Sequence, residues 1–218
     1  MPGEAPDTIF FLSDYGTRDE FVGVVHAVLR RLAPAPLVID LTHEVPPFDV
    51  AAGARTRLRA MPHLGDGVVL GVVDPGVGSA RRGIALEVKS ERQRHFFVGP
   101  DNGLLLPAAE SGGTSIEAVE LPALDAAPGA TTFDGRDVFA PAAAALCNGA
   151  SLSDLGAPLG PESLVRLLLP LSRHSRLADG RPVRWCQVEW VDRFGNLQLS
   201  AAPSGEDPEV FSLVWAEG

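Results

Sequence analysis

The chain has 218 residues, 45% of them apolar, which is enough for one well-packed core and a small additional domain. A formal net charge of -10 and an isoelectric point near 4.9 argue against a nucleic-acid binder or an anionic-membrane binder. No stretch approaches the ~20 apolar residues of a membrane span, and Met1-Pro-Gly-Glu-Ala-Pro-Asp7 lacks the basic and apolar regions of a signal peptide, so a soluble cytoplasmic protein is expected.

In chain order, Thr8-Ile-Phe-Phe-Leu-Ser13 reads as a first central strand ending at Asp14, after which Gly16 and Thr17 turn the chain. From Asp19 the apolar residues Phe21, Val24, Val25, Val28, Leu29 and Leu32 share one helical face, with acids in the first turn and Arg30 and Arg31 in the last. Pro34 and Pro36 end that helix, and Leu37 to Leu41 is the next strand. Asp49 is placed to cap a second helix, Val50 to Met61, ahead of a buried strand at Val68 to Val73. This alternation predicts an α/β domain built on a Rossmann-like, mostly parallel sheet.

The middle of the chain is less regular. Ile84 to Val88 and His95 to Val98 read as a pair of strands, and Gly99-Pro-Asp-Asn-Gly103 as a dense turn. Glu110 to Ala130, rich in Gly, Ala, Ser and Pro, reads as loop. Phe133 to Asp137 leads into a helix through Leu146, and Pro161 to Leu169 reads as one more short helix. Polar residues 172–182, broken by Gly180 and Pro182, read as a linker between a domain at 1–171 and a small β domain at 183–218. Strands there are expected at Val183 to Val191, Leu197 to Leu199 and Val210 to Trp215.

Asp14, Asp19, Thr42 and Asp74 all fall at strand-to-helix turns, where open α/β sheets bind their ligands. Helix capping accounts for Asp19 and Asp49 without a ligand, whereas Asp14 stands several residues ahead of its helix and reads as a ligand group. Gly71-Val-Val-Asp-Pro-Gly-Val-Gly-Ser-Ala-Arg-Arg-Gly83 sets a carboxylate at the end of a buried strand, then a turn, then two arginines. Arg81 can fold back over that turn to reach Asp74; equally, Asp74 can cap the turn while the arginines stay solvated. Gly76-Val-Gly78 lacks the third glycine of a dinucleotide fingerprint, and no phosphate-loop Gly-Lys-Ser/Thr is present. The five histidines show no metal-ligand spacing, with His26 expected against the apolar face of the first helix, so neither a metal nor a cofactor is expected. Cys147 and Cys186 lie far apart in apolar surroundings and read as free thiols.

Six segments occur in a telling order: Ser13-Asp-Tyr-Gly16 with Asp19; Asp40-Leu-Thr-His-Glu-Val-Pro46; Asp74-Pro-Gly-Val-Gly78 with Arg81-Arg82; Gly99-Pro-Asp-Asn-Gly-Leu104; Thr132-Phe-Asp-Gly-Arg-Asp-Val-Phe-Ala-Pro141; and Asp192-Arg-Phe-Gly-Asn196. Together they resemble the S-adenosyl-L-methionine hydroxide adenosyltransferases, hydrolase relatives of the fluorinase and chlorinase enzymes. The resemblance implies hydrolysis of S-adenosyl-L-methionine to adenosine and L-methionine, with no cofactor. It implies an α/β N-terminal domain, a C-terminal β-barrel and a homotrimer whose substrate sites lie between subunits. By the family pattern Asp14 binds the ribose hydroxyls, Phe48 packs against sugar and methionine, and Gly135 belongs to the substrate-binding set. Asp19 and Asp192 bind the methionine amino group, while Phe194 and Asn196 contact adenine. Asp74 and Arg81 are two members of an Asp-Arg-His set that positions the attacking water.

Two departures follow from the same comparison. Asp134 stands where the family has His, so two carboxylates would flank Arg81; this either still orients a water or leaves a site that binds ligand and turns over slowly. The sequence stops at Trp215-Ala-Glu-Gly218, short of the family's whole barrel, so a shortened β domain is expected. Phe194 and Trp190 also read as plain barrel core, and Asp192 to Asn196 as a hairpin turn.

Overall fold

A computed structural model describes residues 5–90, 93–113, 115–122, 133–167 and 173–200. The chain divides into two compact units, Met1–Leu167 and Leu168–Gly218. In the first unit, seven strands form one sheet: β1 (Thr8–Ser13), β2 (Leu37–Thr42), β3 (Gly67–Val72), β4 (Gly83–Lys89), β5 (Arg94–Pro100), β6 (Ser115–Leu121) and β7 (Ala157–Leu159), in the order β2-β1-β3-β5-β4-β6-β7. β2, β1, β3 and β5 pair in parallel, whereas β4 pairs antiparallel with both β5 and β6.

The central strands read as near-continuous apolar runs because both of their faces are covered. Ile9, Phe11, Val68, Leu70 and Phe96 point to one face, under α1 (Phe21–Leu32) and α4 (Ala140–Cys147). Phe10, Leu12, Val69, Leu86 and Phe97 point to the other, under α2 (Val50–Ala60) and α3 (Leu106–Gly112). Burying each such side chain contributes about 1.5–3 kcal/mol, so the two layers fix the sheet register from both sides. Close backbone approach is part of that register. A Cβ on Gly99 would stand 2.2 Å from the Gly71 carbonyl oxygen, so β3 and β5 can pass there only with glycine.

Several expectations need correction. The first helix begins at Phe21 rather than Asp19, its N-cap Glu20 makes no side-chain cap bond, and no acid lies in its first turn. The bends from Gly16, held at φ +66°, through Glu20 carry the chain off the end of β1 before the apolar stripe begins. Asp49 caps α2 as expected, accepting from the Ala52 amide at 2.8 Å. Residues 115–121, expected as loop, are β6, a seven-residue partner of β4. The expected helix from Pro161 is a single 3-10 turn, Pro161–Ser163, followed by non-helical backbone to Leu167; Leu168 and Leu169 lie outside the described residues.

In the second unit, β8 (Arg173–Arg176) pairs with β9 (Pro182–Trp185), and β10 (Val188–Val191) with β11 (Leu197–Leu199). Much of the expected linker is therefore hairpin: each residue of Arg173–Arg176 stands opposite one of Pro182–Trp185. The described part of this unit consists of two hairpins rather than a closed barrel. The strand expected at Val210 to Trp215 lies outside the described residues.

Candidate active site

β1 and β3 are neighbours in the sheet, and both deliver a carboxylate just past their last residue. Asp14 follows Ser13, and its amide donates to the Val72 carbonyl at 3.3 Å. Its Oδ2 accepts from the Phe48 amide at 2.8 Å, and Phe48 adopts φ +66° to present that N–H. Burial raises the Asp14 pKa above the usual carboxylate range, against these backbone hydrogen bonds.

Asp74 sits two residues beyond β3. Its Oδ1 accepts from the Gly76 amide at 3.2 Å and from Arg81 Nε at 3.1 Å, and its Oδ2 from Arg81 Nη2 at 2.5 Å. Arg81 therefore folds back over the turn as a fork, the bidentate geometry that guanidinium and carboxylate favour. The same Nη2 donates to Asp134 Oδ2 at 2.6 Å, while the guanidinium lies 5.4 Å from the centre of the Phe139 ring. Asp134 immediately precedes a π-helical turn, Gly135–Phe139, that runs into α4. Asp74 is 6% exposed at its side chain and Asp134 20%. Burial, with a smaller push from Asp134, raises the Asp74 pKa despite the opposing pull of Arg81.

Asp14, Phe48, Asp74, Asp134 and Gly135 all line one cleft of about 300 Å³. Arg81 ties two of its carboxylates together at its wall. The lining residues without an expected role include three aromatics, Tyr15, Phe21 and Phe133, whose rings meet at centroid distances of 5.3 to 5.6 Å. Tyr15 and Phe133 lie within segments already singled out and Phe21 two residues after Asp19, and that position is their signal in the sequence. Burial, then the charges of Asp14, Asp74 and Asp134, raises the Tyr15 pKa, so its hydroxyl remains a neutral donor. A Cβ on Gly135 would stand 2.1 Å from that hydroxyl, which explains glycine at this position. A larger depression of about 500 Å³ lies beside β6 and β7, where Glu120 and Asp154 are the ionisable lining groups among the described residues.

Other expected residues lie elsewhere. Asp19 is exposed on the bend before α1 and is not among the cleft-lining residues. Asp192, Phe194 and Asn196 are in the second unit, on the turn between β10 and β11. Asp192 Oδ1 accepts from the Phe194 and Asn196 amides at 2.8 Å each, and its Oδ2 from Asn196 Nδ2 at 2.7 Å, which lowers the Asp192 pKa. Phe194 is 82% exposed rather than core. His26 is satisfied by Asp40 and lies beside the Phe11 ring, but it is half-exposed rather than core.

The arrangement joins three carboxylates and one guanidinium to an aromatic wall, which suits a cationic organic ligand with vicinal hydroxyls. The family described as the SAM hydroxide adenosyltransferase N-terminal domain matches residues 9–156. The chain belongs to that family. It is 50% identical to the (R)-S-adenosyl-L-methionine hydrolase of Salinispora tropica over 94% of this chain and 76% of the relative. Identity to the enzyme of the same name from Thermus thermophilus is 43%, over 93% and 78%. Fluorinases of the wider group are more distant, at 28% for that of Actinoplanes sp.. A solved structure of an uncharacterized conserved protein from Thermotoga maritima superposes with a TM-score of 0.74 at 36% identity, covering 88% of this chain and 70% of that one. Among the described residues, no helix is long and apolar enough to cross a membrane.

Proposed function

We propose that the protein hydrolyses S-adenosyl-L-methionine to adenosine and L-methionine, and that its substrate has the (R) configuration at sulfur. The observation that carries this reading is the Asp74–Arg81–Asp134 set on the wall of an acidic, aromatic cleft. The names of its relatives supply the substrate and its configuration.

Water attacks the ribose C5′ in line with the C5′–S bond. That bond breaks with its electron pair going to sulfur, so methionine leaves as a neutral thioether and no acid is required. Asp74 accepts the water proton, and the proton passes to solvent as adenosine departs. Positioned general-base catalysis of this kind contributes typically about 10²–10⁴-fold. Water held close and aligned in a dry pocket contributes several further kcal/mol. A halide would meet the Asp74 carboxylate and be repelled, which disfavours halogenation.

By the family pattern Asp14 takes the ribose hydroxyls and Phe48 packs on the sugar. Asp19 and Asp192 take the methionine amino group, and Phe194 and Asn196 the adenine. In this reading the enzyme is a cytoplasmic homotrimer that needs no cofactor, with the β10–β11 turn of one subunit serving the cleft of the next. Asp134 in the place of the family His favours a second reading, a binder of adenosyl compounds with little turnover.

Incubation with each sulfonium epimer, followed by chromatography, separates these readings. Adenosine and methionine in equal amounts, faster from the (R) epimer, is the expected result. Binding without product would favour the second reading.

Two consequences concern single residues. Because protonation of Asp74 removes the base, turnover should fall as pH drops through a pKa above the ordinary carboxylate value. Asp134→Asn removes a charge that raises that pKa, so the acid limb of the pH–rate profile should move to lower pH; a limb that stays in place would show that Asp74 is not the titrating group. Phe48→Gly should relieve a left-handed backbone costing about 1–2 kcal/mol for a residue with a Cβ while raising KM. An unchanged KM would remove the Phe48 ring from the substrate site.

A further inference from the structure

A second cluster of chemistry-bearing side chains sits on the sheet at β1 and β2, where the His26 and His43 rings both meet Phe11, away from the Asp74 set. His26 comes from α1, Asp40 from β2 and His43 from the loop after it. His26 Nε2 lies 2.9 Å and His43 Nε2 3.0 Å from the same oxygen, Asp40 Oδ1. The ligating atoms of the three residues all lie within 4.8 Å of one another. Bonds of about 2.0–2.1 Å to one zinc-like ion place neighbouring ligand atoms roughly 2.9–3.4 Å apart, so a small turn of the half-exposed His26 ring closes the set.

The second observation concerns His43 alone. Its side chain is 4% exposed, and its Nδ1 lies 2.7 Å from Ser13 Oγ. Its Nε2 is buried and lies 3.0 Å from Asp40 Oδ1 without the alignment of a good hydrogen bond. If Nδ1 carries the proton and donates to Ser13, Nε2 turns a bare lone pair toward a carboxylate. If Ser13 donates instead, the Nε2 hydrogen has no acceptor in line. Either tautomer leaves a deficit that a cation between Nε2 and the carboxylate removes. A ring fixed through its other nitrogen is also how metal-ligating histidines are oriented.

We propose that His26, Asp40 and His43 form a binding site for one divalent transition ion of the zinc class, with Ser13 as the residue that orients His43. Two imidazoles and a carboxylate select such an ion over calcium or magnesium, which prefer oxygen ligands. Asp40 and His26 leave one side open to water, which supplies the remaining coordination. The site braces the cleft from behind, because the His43 carbonyl accepts from the Gly16 amide at 2.7 Å and Ser13 precedes Asp14. Its role is to hold the Asp14–Gly16 loop, with no part in the chemistry at C5′.

The test uses the full chain, freed of metal by a chelator and titrated with Co²⁺ while visible absorption is recorded. One equivalent should bind, giving the bands of a low-coordinate nitrogen and oxygen site, and Zn²⁺ should displace it. His26→Ala and Asp40→Asn, both at accessible side chains and checked for folding by circular dichroism, should each abolish the bands. Ser13→Ala should weaken binding about 10–100-fold. Zn²⁺ should also raise the melting temperature of the wild-type protein and leave that of His26→Ala unmoved. Absence of binding to the wild-type chain, or binding that survives both His26→Ala and Asp40→Asn, overturns the proposal and leaves a hydrogen-bonded His-Asp-His cluster.

Discussion

Replacing Asp74 with asparagine should lower turnover by about 10²–10⁴-fold, the usual range for a lost general base, with little change in KM. With its oxygen in the Oδ1 place, asparagine can still accept from Arg81 Nε and the Gly76 amide, whereas its Nδ2 faces Arg81 Nη2 and that one hydrogen bond is lost. Arg81 also retains Asp134 as an anion, so the guanidinium is not left uncompensated. The protein should therefore remain folded, and the loss should fall on kcat rather than on binding. Steady-state kinetics with the (R) epimer decides the matter. Turnover within a few-fold of wild type would place the base elsewhere, with Asp134 the next residue to replace.

Arg81→Met should act on stability as strongly as on rate. Arg81 separates two largely buried carboxylates and sets one positive charge between them. Without it both face the cleft with no cation between them, and breaking a buried ion set in this way costs about 3–5 kcal/mol. The dependence on pH has a definite sign. Burial already raises the Asp74 pKa, and loss of the opposing Arg81 charge raises it further. A carboxyl group whose folded pKa exceeds its unfolded value favours the folded state in acid and loses that contribution as pH rises through the folded pKa. Denaturant melts should therefore show a larger deficit for Arg81→Met at pH 8 than at pH 5. Equal deficits at both would mean that the lost packing on Phe139, rather than charge, dominates.

Much of the first unit was legible because strands buried on both faces announce themselves as apolar runs. Ile9 to Leu12 and Val68 to Val73 left little room for another reading. β6 was missed because Ser115-Ile-Glu-Ala-Val-Glu-Leu121 is partly exposed, with acidic residues between its apolar ones. β7 is three residues long and contains Pro158, which an edge strand tolerates but a propensity reading rejects. Asp14 and Asp74 were legible from the strand-end rule and from the turn that brings Arg81 back. Asp134 was not, since no local pattern links it to Arg81, and only resemblance to a family suggested it. The meeting of His26, Asp40 and His43 had no sequence signal either, because spacing tests presume a shared helix or hairpin and these residues come from three different elements.

The sheet order described above has a kinetic consequence. Asp14, Asp74 and Asp134 come from three distant parts of the chain, and β1 must pair with β3 before the first two face each other. Parallel pairings of this kind close long loops before any contact rewards them, and chains that depend on them fold slowly. Helices α1 and α2 can gain their backbone hydrogen bonds locally and early, whereas the cleft exists only once the last central strand is seated. During refolding, returning turnover should therefore lag the helical signal, since it requires the closed sheet and, for a site completed by the next subunit, assembly as well.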